Sequence, residues 1–215
     1  MARAALHRDH IVATAVTLAD EQGVDALSMR RLAQRLGTGA MSLYNHVSDK
    51  DDLLEAMVEH VLGDPSMPHV EDAGGDGWRD ALVALAVWLR GVLLEHPWVC
   101  DLWWSTFPGP QRTAMMEAVL GTLRRGGFTR RMAHHGYHAF DLQVVGHVNQ
   151  DVRFTIGQVD PEATLQRFLA QAPATTHPHV VEHVEHHTDP DVDEDDFAFL
   201  LGLLLDGLER HLHAP

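Results

Sequence analysis

SMRRLAQRLGTGAMSLYNHVSDK, residues 28–50, is the stretch that decides the fold. Ser28 can cap a helix over 29–36 by accepting from its free N–H groups, and Leu32 and Leu36 then share one face of that helix. Gly37-Thr38-Gly39 is a turn. Residues 40–47 make a second helix of about two turns with Leu43 and Val47 pointing inward. Ala33 is small and Gly37 follows four residues later, so the two helices can cross closely at a steep angle. Ser48 and Asp51 fit a capping box that opens a further helix to about residue 62, burying Leu53, Leu54, Met57, Val58 and Val61. This is the form of a helix-turn-helix. The outward face of its second helix carries Met41, Ser42, Tyr44, Asn45 and His46. A thioether, a hydroxyl, a phenol, an amide and an imidazole on one exposed face suit major-groove edges and phosphates. A solvated face of an ordinary helical bundle would look similar residue by residue, but would not need the whole pattern.

Upstream, residues 6–22 carry Ile11, Val12, Ala15, Val16, Leu18 and Ala19 at helical spacing, and Gly23 is a natural helix stop. Charge is distributed in keeping with a nucleic-acid-reading head. The chain's net charge is −15, yet residues 1–50 hold six Arg/Lys against five acids, and the remainder ten against 26. All the net negative charge thus lies outside the first 50 residues, so the overall acidity is a poor test of DNA binding.

The first 62 residues resemble the N-terminal domain of the TetR (tetracycline-repressor) family of bacterial regulators. The features that match are a helix ending in glycine, the Ala33-to-Gly37 helix-turn-helix, the Leu43-Tyr44-Asn45-His46-Val47 reading helix, and Lys50 ahead of Leu53-Leu54. The resemblance implies that Tyr44 and Lys50 contact phosphates, with Ser28 and Arg30 beside them on backbone or bases. It places Ala40, Met41, Ser42, Asn45 and His46 at or near base edges. Ala40 and Met41 depart from a hydrogen-bonding pattern, so readout there would rest on thymine methyl contacts and on Arg30.

Residues 63–77, GDPSMPHVEDAGGDG, hold four glycines and two prolines without periodicity and read as a linker. A helix over 78–95 follows, ended by Pro97, with Leu82, Leu85, Leu89 and Val92 in one stripe. After an aromatic-rich segment, 98–107, come helices over 111–125 (stopped by Gly126-Gly127), 129–156 (capped by Thr129, with Val145, Val148 and Val152 in a row), 161–171, 178–188 and 194–212. Residues 189–196 are acidic and expected to be exposed. No stretch alternates as a strand would. The expected architecture is all-α: a helix-turn-helix domain over 1–62, a linker over 63–77, and a helical ligand-binding and dimerisation domain over 78–215. Gly146 in the 129–156 helix, and Gly202 and Gly207 in the last one, allow close approach between subunits. The apolar stripe of the last helix (Phe197, Leu200, Leu201, Leu204, Leu205, Leu208 and Leu212) takes seven residues in sixteen, more than a narrow seam needs, although periodicity alone does not separate core from interface. The family resemblance implies a homodimer joined by a four-helix bundle, which would set two heads on a palindrome.

Of the chain's seventeen histidines, nine cluster in two places. His134, His135 and His138 share one helix with His147; His177, His179, His183, His186 and His187 form a second group. Pairs four apart can chelate a metal, and residues 179–183 match the H-x-x-E-H metalloprotease form. So many His and Glu in one tract make that match an easy coincidence, and neither a third ligand nor a cleft accompanies it. The expectation is therefore no metal, no cofactor and no catalytic residue. A metal- or pH-responsive regulator of the same fold stands as the alternative, and a metal-dependent hydrolase as a remote one. An effector cavity between the body helices would draw on Trp88, Trp103, Trp104, Phe107, Met115, His138, Gln143 and His147, with plain core packing an equal reading for the tryptophans. One cysteine, no apolar run of about 18 residues and no signal-like N-terminus point to a cytoplasmic protein without a membrane partner. The function expected is a repressor that binds a palindromic double-stranded DNA operator as a homodimer and is released by a small-molecule effector.

Overall fold

A computed structural model describes residues 6–71, 75–153, 161–186 and 196–212. Its α-helices are α1 (Arg8–Gln22), α2 (Met29–Arg35), α3 (Ala40–Leu43), α4 (Lys50–Leu62), α5 (Trp78–Glu95), α6 (Trp98–Leu102), α7 (Pro110–Arg125), α8 (Arg130–Arg153), α9 (Pro161–Gln171), α10 (Pro178–His186) and α11 (Asp196–Glu209). Among the described residues there is no strand. The expected ends of the 129–156 and 178–188 helices, and most of the acidic 189–196 stretch, lie outside the described residues.

The head is a small bundle in which α1 packs on α2 and α4, and α2 on α3. Ile11, Ala15, Leu32, Leu43, Val47, Leu53 and Met57 are all buried at its centre. Leu54, expected in this set, is only half-buried. The α2–α3 turn differs from expectation in its cause. Gly37 has φ +63, and a Cβ there would meet nothing within 4 Å. Glycine is therefore needed for the left-handed backbone, not for helix proximity. Its N–H donates to the Gln34 carbonyl (3.1 Å) and that of Thr38 to the Ala33 carbonyl (2.9 Å), closing α2 as a Schellman motif.

Two further local expectations are corrected. The reading helix is α-helical only over Ala40–Leu43, after which residues 44–46 continue as turns, with the N–H groups of His46 and Val47 both donating to the Leu43 carbonyl. And α4 is capped one residue later than expected: Asp49, not Ser48, accepts from the Asp52 N–H (2.8 Å), while the Ser48 N–H donates to the Asp52 carboxylate (2.8 Å). The Ser48–Asp51 and Asp49–Asp52 pairs overlap, and a carboxylate is the stronger acceptor at a helix N-terminus.

In the body, α8 is the central helix and packs against α5, α7 and α11. Gly127 (φ +95) ends α7 in a second Schellman turn and sends Phe128 edge-on against Trp78, 4.9 Å between ring centroids. Thr129 caps α8 as expected, accepting from the Met132 N–H. Val145 and Val148 are buried, but Val152 is exposed. On α11, Phe197, Leu201, Leu205 and Leu208 are core, whereas Phe199, Leu200 and Leu203 face outward. Leu142 on α8 is also exposed, and a Cβ at Gly146, Gly202 or Gly207 would meet nothing within 4 Å. The wide stripe on the last helix therefore serves two faces, one inside the chain and one open and apolar. The segment read as a linker is tied down at Val70, which is buried and whose carbonyl accepts from Arg125 (2.9 Å).

Candidate nucleic-acid interface

The three short elements around the turn place the candidate DNA-reading residues at helix ends and on one outward segment. Ser28 Oγ accepts from the Arg31 N–H (3.3 Å) as the N-cap of α2, leaving Arg30 exposed in the first turn. Buried Leu43 and Val47 hold the reading segment on the core. Met41 is 78% exposed, Tyr44 and Asn45 are exposed, and Ala40, Ser42 and His46 are half-buried. Lys50 opens α4 and is exposed.

The head's basic side chains divide into two groups. Arg8 pairs with Asp52, Arg35 with Glu21, and Arg31 donates to the Ala26 carbonyl. Arg30 and Lys50 make no hydrogen bond or ion pair among the described residues. Those two cations are thus free for phosphates, and Tyr44 lies between them in sequence. Arg8, first through hydrogen bonding, holds the Asp52 carboxyl down at about 2, helped by the Ser48 N–H. Sequence reasoning assigned no role to Arg8 or Asp52; nothing local signals a contact 44 residues apart.

Two carboxylates of the head grip the body. Asp20, near the end of α1, accepts from Trp98 Nε1 (2.6 Å) and lies 2.8 Å from His96 Nδ1. Glu59, on α4, accepts from the N–H groups of Gly109 (3.2 Å), Gln111 (2.6 Å) and Arg112 (3.2 Å). It thereby caps α7, whose own N-cap residue, Gly109, has no side chain to do so. Glu55 adds a bond from the Phe107 N–H (3.3 Å). A cleft of about 480 Å³ lies beside this second grip, lined by Arg8, Asp52, Glu55, Glu59, His60 and Phe107 among others.

The eight candidate effector residues do not converge. Trp88, Trp103 and Met115 are buried in the body. Gln143 and His147 are half-buried. Trp104, Phe107 (79% exposed) and His138 are exposed, and Phe107 borders the head–body cleft. The polar centre of the body joins one selected residue, Trp103, to two that the sequence reading did not select, Asp141 and Arg112. Trp103, wholly buried, donates to Asp141 (3.0 Å), and the guanidinium of Arg112, 6% exposed, lies over its ring at 4.3 Å. Burial pushes the Asp141 carboxyl up, partly offset by the Trp103 bond and Arg112. Burial likewise pushes Tyr137 up to about 12 and Arg112 down. Trp88 Nε1 and Arg112 Nε are buried donors without an acceptor among the described residues.

The histidine groups are surface features. The His134 and His138 rings are 4.6 Å apart on an exposed face of α8, and His179, His183 and His186 are exposed on α10. Among the described residues no group of three or more His, Cys, Asp or Glu could hold a metal ion. His187 lies outside the described residues. No helix among the described residues is long and apolar enough to cross a membrane.

Comparison with known proteins agrees with this geometry in both halves. Residues 11–57 match the family described as bacterial regulatory proteins, tetR family, and residues 70–212 match the tetracyclin repressor-like C-terminal domain. The transcriptional repressor DrrR1 of Streptomyces coeruleorubidus is 35% identical over 94% of this chain and 76% of its own length. An HTH-type transcriptional regulator of Saccharopolyspora erythraea is 43% identical over 68% of this chain, although that match spans only 61% of the relative. The crystal structure of the Streptomyces coelicolor TetR family protein ActR in complex with actinorhodin superposes with a TM-score of 0.80 at 30% identity, covering 98% of this chain and 100% of that one. The chain belongs to the TetR family and is a ligand-responsive, DNA-binding transcriptional repressor rather than an enzyme.

Proposed function

We propose that this repressor acts as a cytoplasmic homodimer, with two heads (residues 1–62) reading a palindromic operator and the helical body (78–215) holding a small-molecule effector and the dimer seam. The observation that carries the DNA assignment is the outward segment of α3 and the turns after it, fixed from below by Leu43 and Val47 and flanked by the free cations Arg30 and Lys50. Tyr44 and Lys50 hold phosphates. Ser28 and Arg30 lie beside them, and Ala40, Met41, Ser42, Asn45 and His46 face base edges. The open apolar face of α8 and α11, with its glycines, suits pairing with a second copy, and dimerisation is typical of the family.

The effector reading is narrower than "small molecule". Arg112, whose guanidinium lies over the flat face of Trp103, offers a buried N–H donor that lacks an acceptor among the described residues, and Trp88 carries another such donor. Such a site suits an aromatic ligand carrying carbonyl or phenolic oxygens, since each filled donor removes a desolvation penalty. That the related ActR was crystallised in complex with actinorhodin supports a small-molecule effector for this chain. Selection from random duplexes tests the DNA reading. It should return a palindrome, and failure to bind any duplex at low salt would refute it. A thermal-shift screen of hydroxylated polycyclic aromatics tests the effector reading, with the selected operator added to show release.

A further inference from the structure

We infer that Arg8 is a positioning residue for DNA readout: its guanidinium clamps the end of the reading segment onto the start of α4. This rests on the reading that residues 40–50 meet DNA. Arg8 Nη1 donates to the His46 carbonyl at 2.8 Å and to one Asp52 oxygen at 3.1 Å, while Nη2 takes the other Asp52 oxygen at 2.5 Å. The same Asp52 carboxylate accepts from the Ser48 N–H at 2.8 Å. One ion pair therefore ties together the first turn of α1, the turns that follow Tyr44, and the loop leading to Lys50.

The clamp acts on an element that cannot hold its own shape. α3 is α-helical over four residues only, too short to be stable by itself, and the turns that continue it end at the His46 carbonyl. A cation at that end satisfies a carbonyl and suits the negative pole of the segment. Only a planar fork can serve both Asp52 oxygens and the His46 carbonyl together; an ammonium at the same place keeps the charge but not the geometry. With its donors so engaged, Arg8 acts through the pose of Tyr44, Asn45 and His46 and not as a phosphate ligand.

The test uses the full-length protein, the operator duplex obtained by selection, and a scrambled duplex of equal length. Arg8→Lys should weaken operator binding by about ten-fold, leave scrambled binding within about two-fold, and keep the salt slope, because the charge is retained. Asp52→Asn should also weaken operator binding, although it removes a negative charge close to DNA and Coulomb attraction alone would tighten both duplexes. Amide exchange over 46–48 should quicken in both variants while α5 and α8 keep wild-type protection, a readout that survives any loss of head stability. Wild-type operator affinity in Arg8→Lys, or equal tightening on both duplexes in Asp52→Asn, would overturn the inference. So would a salt slope that falls by about one in Arg8→Ala while Arg8→Lys binds normally, which marks a direct phosphate contact. Wild-type protein that binds no duplex at all would instead refute the DNA reading itself, and the clamp's role with it.

Discussion

Removing the Glu59 carboxylate should loosen the whole head–body junction, and the size of the effect can be worked out from three hydrogen bonds. Glu59 accepts from Gly109, Gln111 and Arg112, the first N–H groups of α7, and α7 has no cap of its own. In Glu59→Ala these donors lose a charged acceptor. A lost N-cap costs about 0.5–2 kcal/mol, and a lost favourable charge at a helix N-terminus about 0.3–1 kcal/mol. About 2 kcal/mol is thus expected, or a fall in Tm of roughly 4–8 °C for a chain of this size. Gly109→Ala supplies the cross-check. Its Cβ would lie 2.5 Å from Glu59 Cδ, yet Gly109 has φ −87, which alanine tolerates. The clash must therefore act by driving the carboxylate off its donors. The two substitutions should be strongly non-additive: once Glu59 is alanine, Gly109→Ala should change Tm by no more than about 1 °C. Differential scanning calorimetry at pH 7 on the four proteins of this cycle decides it. A Glu59→Ala protein that melts within about 1 °C of wild type, or an additive cycle, would refute the argument.

Other outcomes follow from the same contacts. Tyr44→Phe and Lys50→Ala should weaken binding evenly across DNA sequences, whereas Asn45→Ala should relax preference at particular positions, as read by competition binding. Asp141→Asn should leave stability at pH 7 within about 1 kcal/mol of wild type, because the amide oxygen still accepts from Trp103 and a disfavoured buried charge is gone; Asp141→Leu should lose about 1–3 kcal/mol in urea unfolding by orphaning that N–H. Below pH 4 the head should destabilise: the Asp52 carboxyl is held at about 2 against an ordinary 3.8, so its contribution is complete above about 4 and disappears as pH falls towards 2, visible in acid titration of head amide signals. DNA affinity at fixed salt should rise between pH 8 and 6. Histidine is the side chain whose charge changes in this range, and full protonation would set 16 basic groups and 17 imidazolium ions against 31 acids, a net +2 in place of −15. A flat profile would rule this out.

The head was largely legible because its determinants are local. Caps, glycine stops and the 3.6-residue period each act within a few residues, and Ile11, Leu32, Leu43 and Met57 fell where the pattern put them. The errors are of the same kind: in Ser48-Asp49-Lys50-Asp51-Asp52 two caps compete one residue apart, and only the fold picks Asp49. The body's function was less legible. Trp103 and Trp104 are neighbours of identical chemistry, but one is core and the other exposed, since a short helix turns one towards Asp141 and the other to water. The Glu59 and Asp20 grips join residues about 50 and 78 apart, and a solvent-facing Glu or Asp on an amphipathic helix carries no mark of a distant donor.

Those two grips also say how the head can move. Both fasten to one stretch of the body, residues 96–112: Asp20 at its beginning, Glu59 at its end. A rigid piece pinned at two points keeps a single freedom, rotation about the line through the pins. The same stretch presents Trp103 to the interior between the pins. A ligand that displaced Trp103 would bear on the stretch between the pins, and in the proposed dimer any tilt of the heads that followed would change their spacing without either one unfolding.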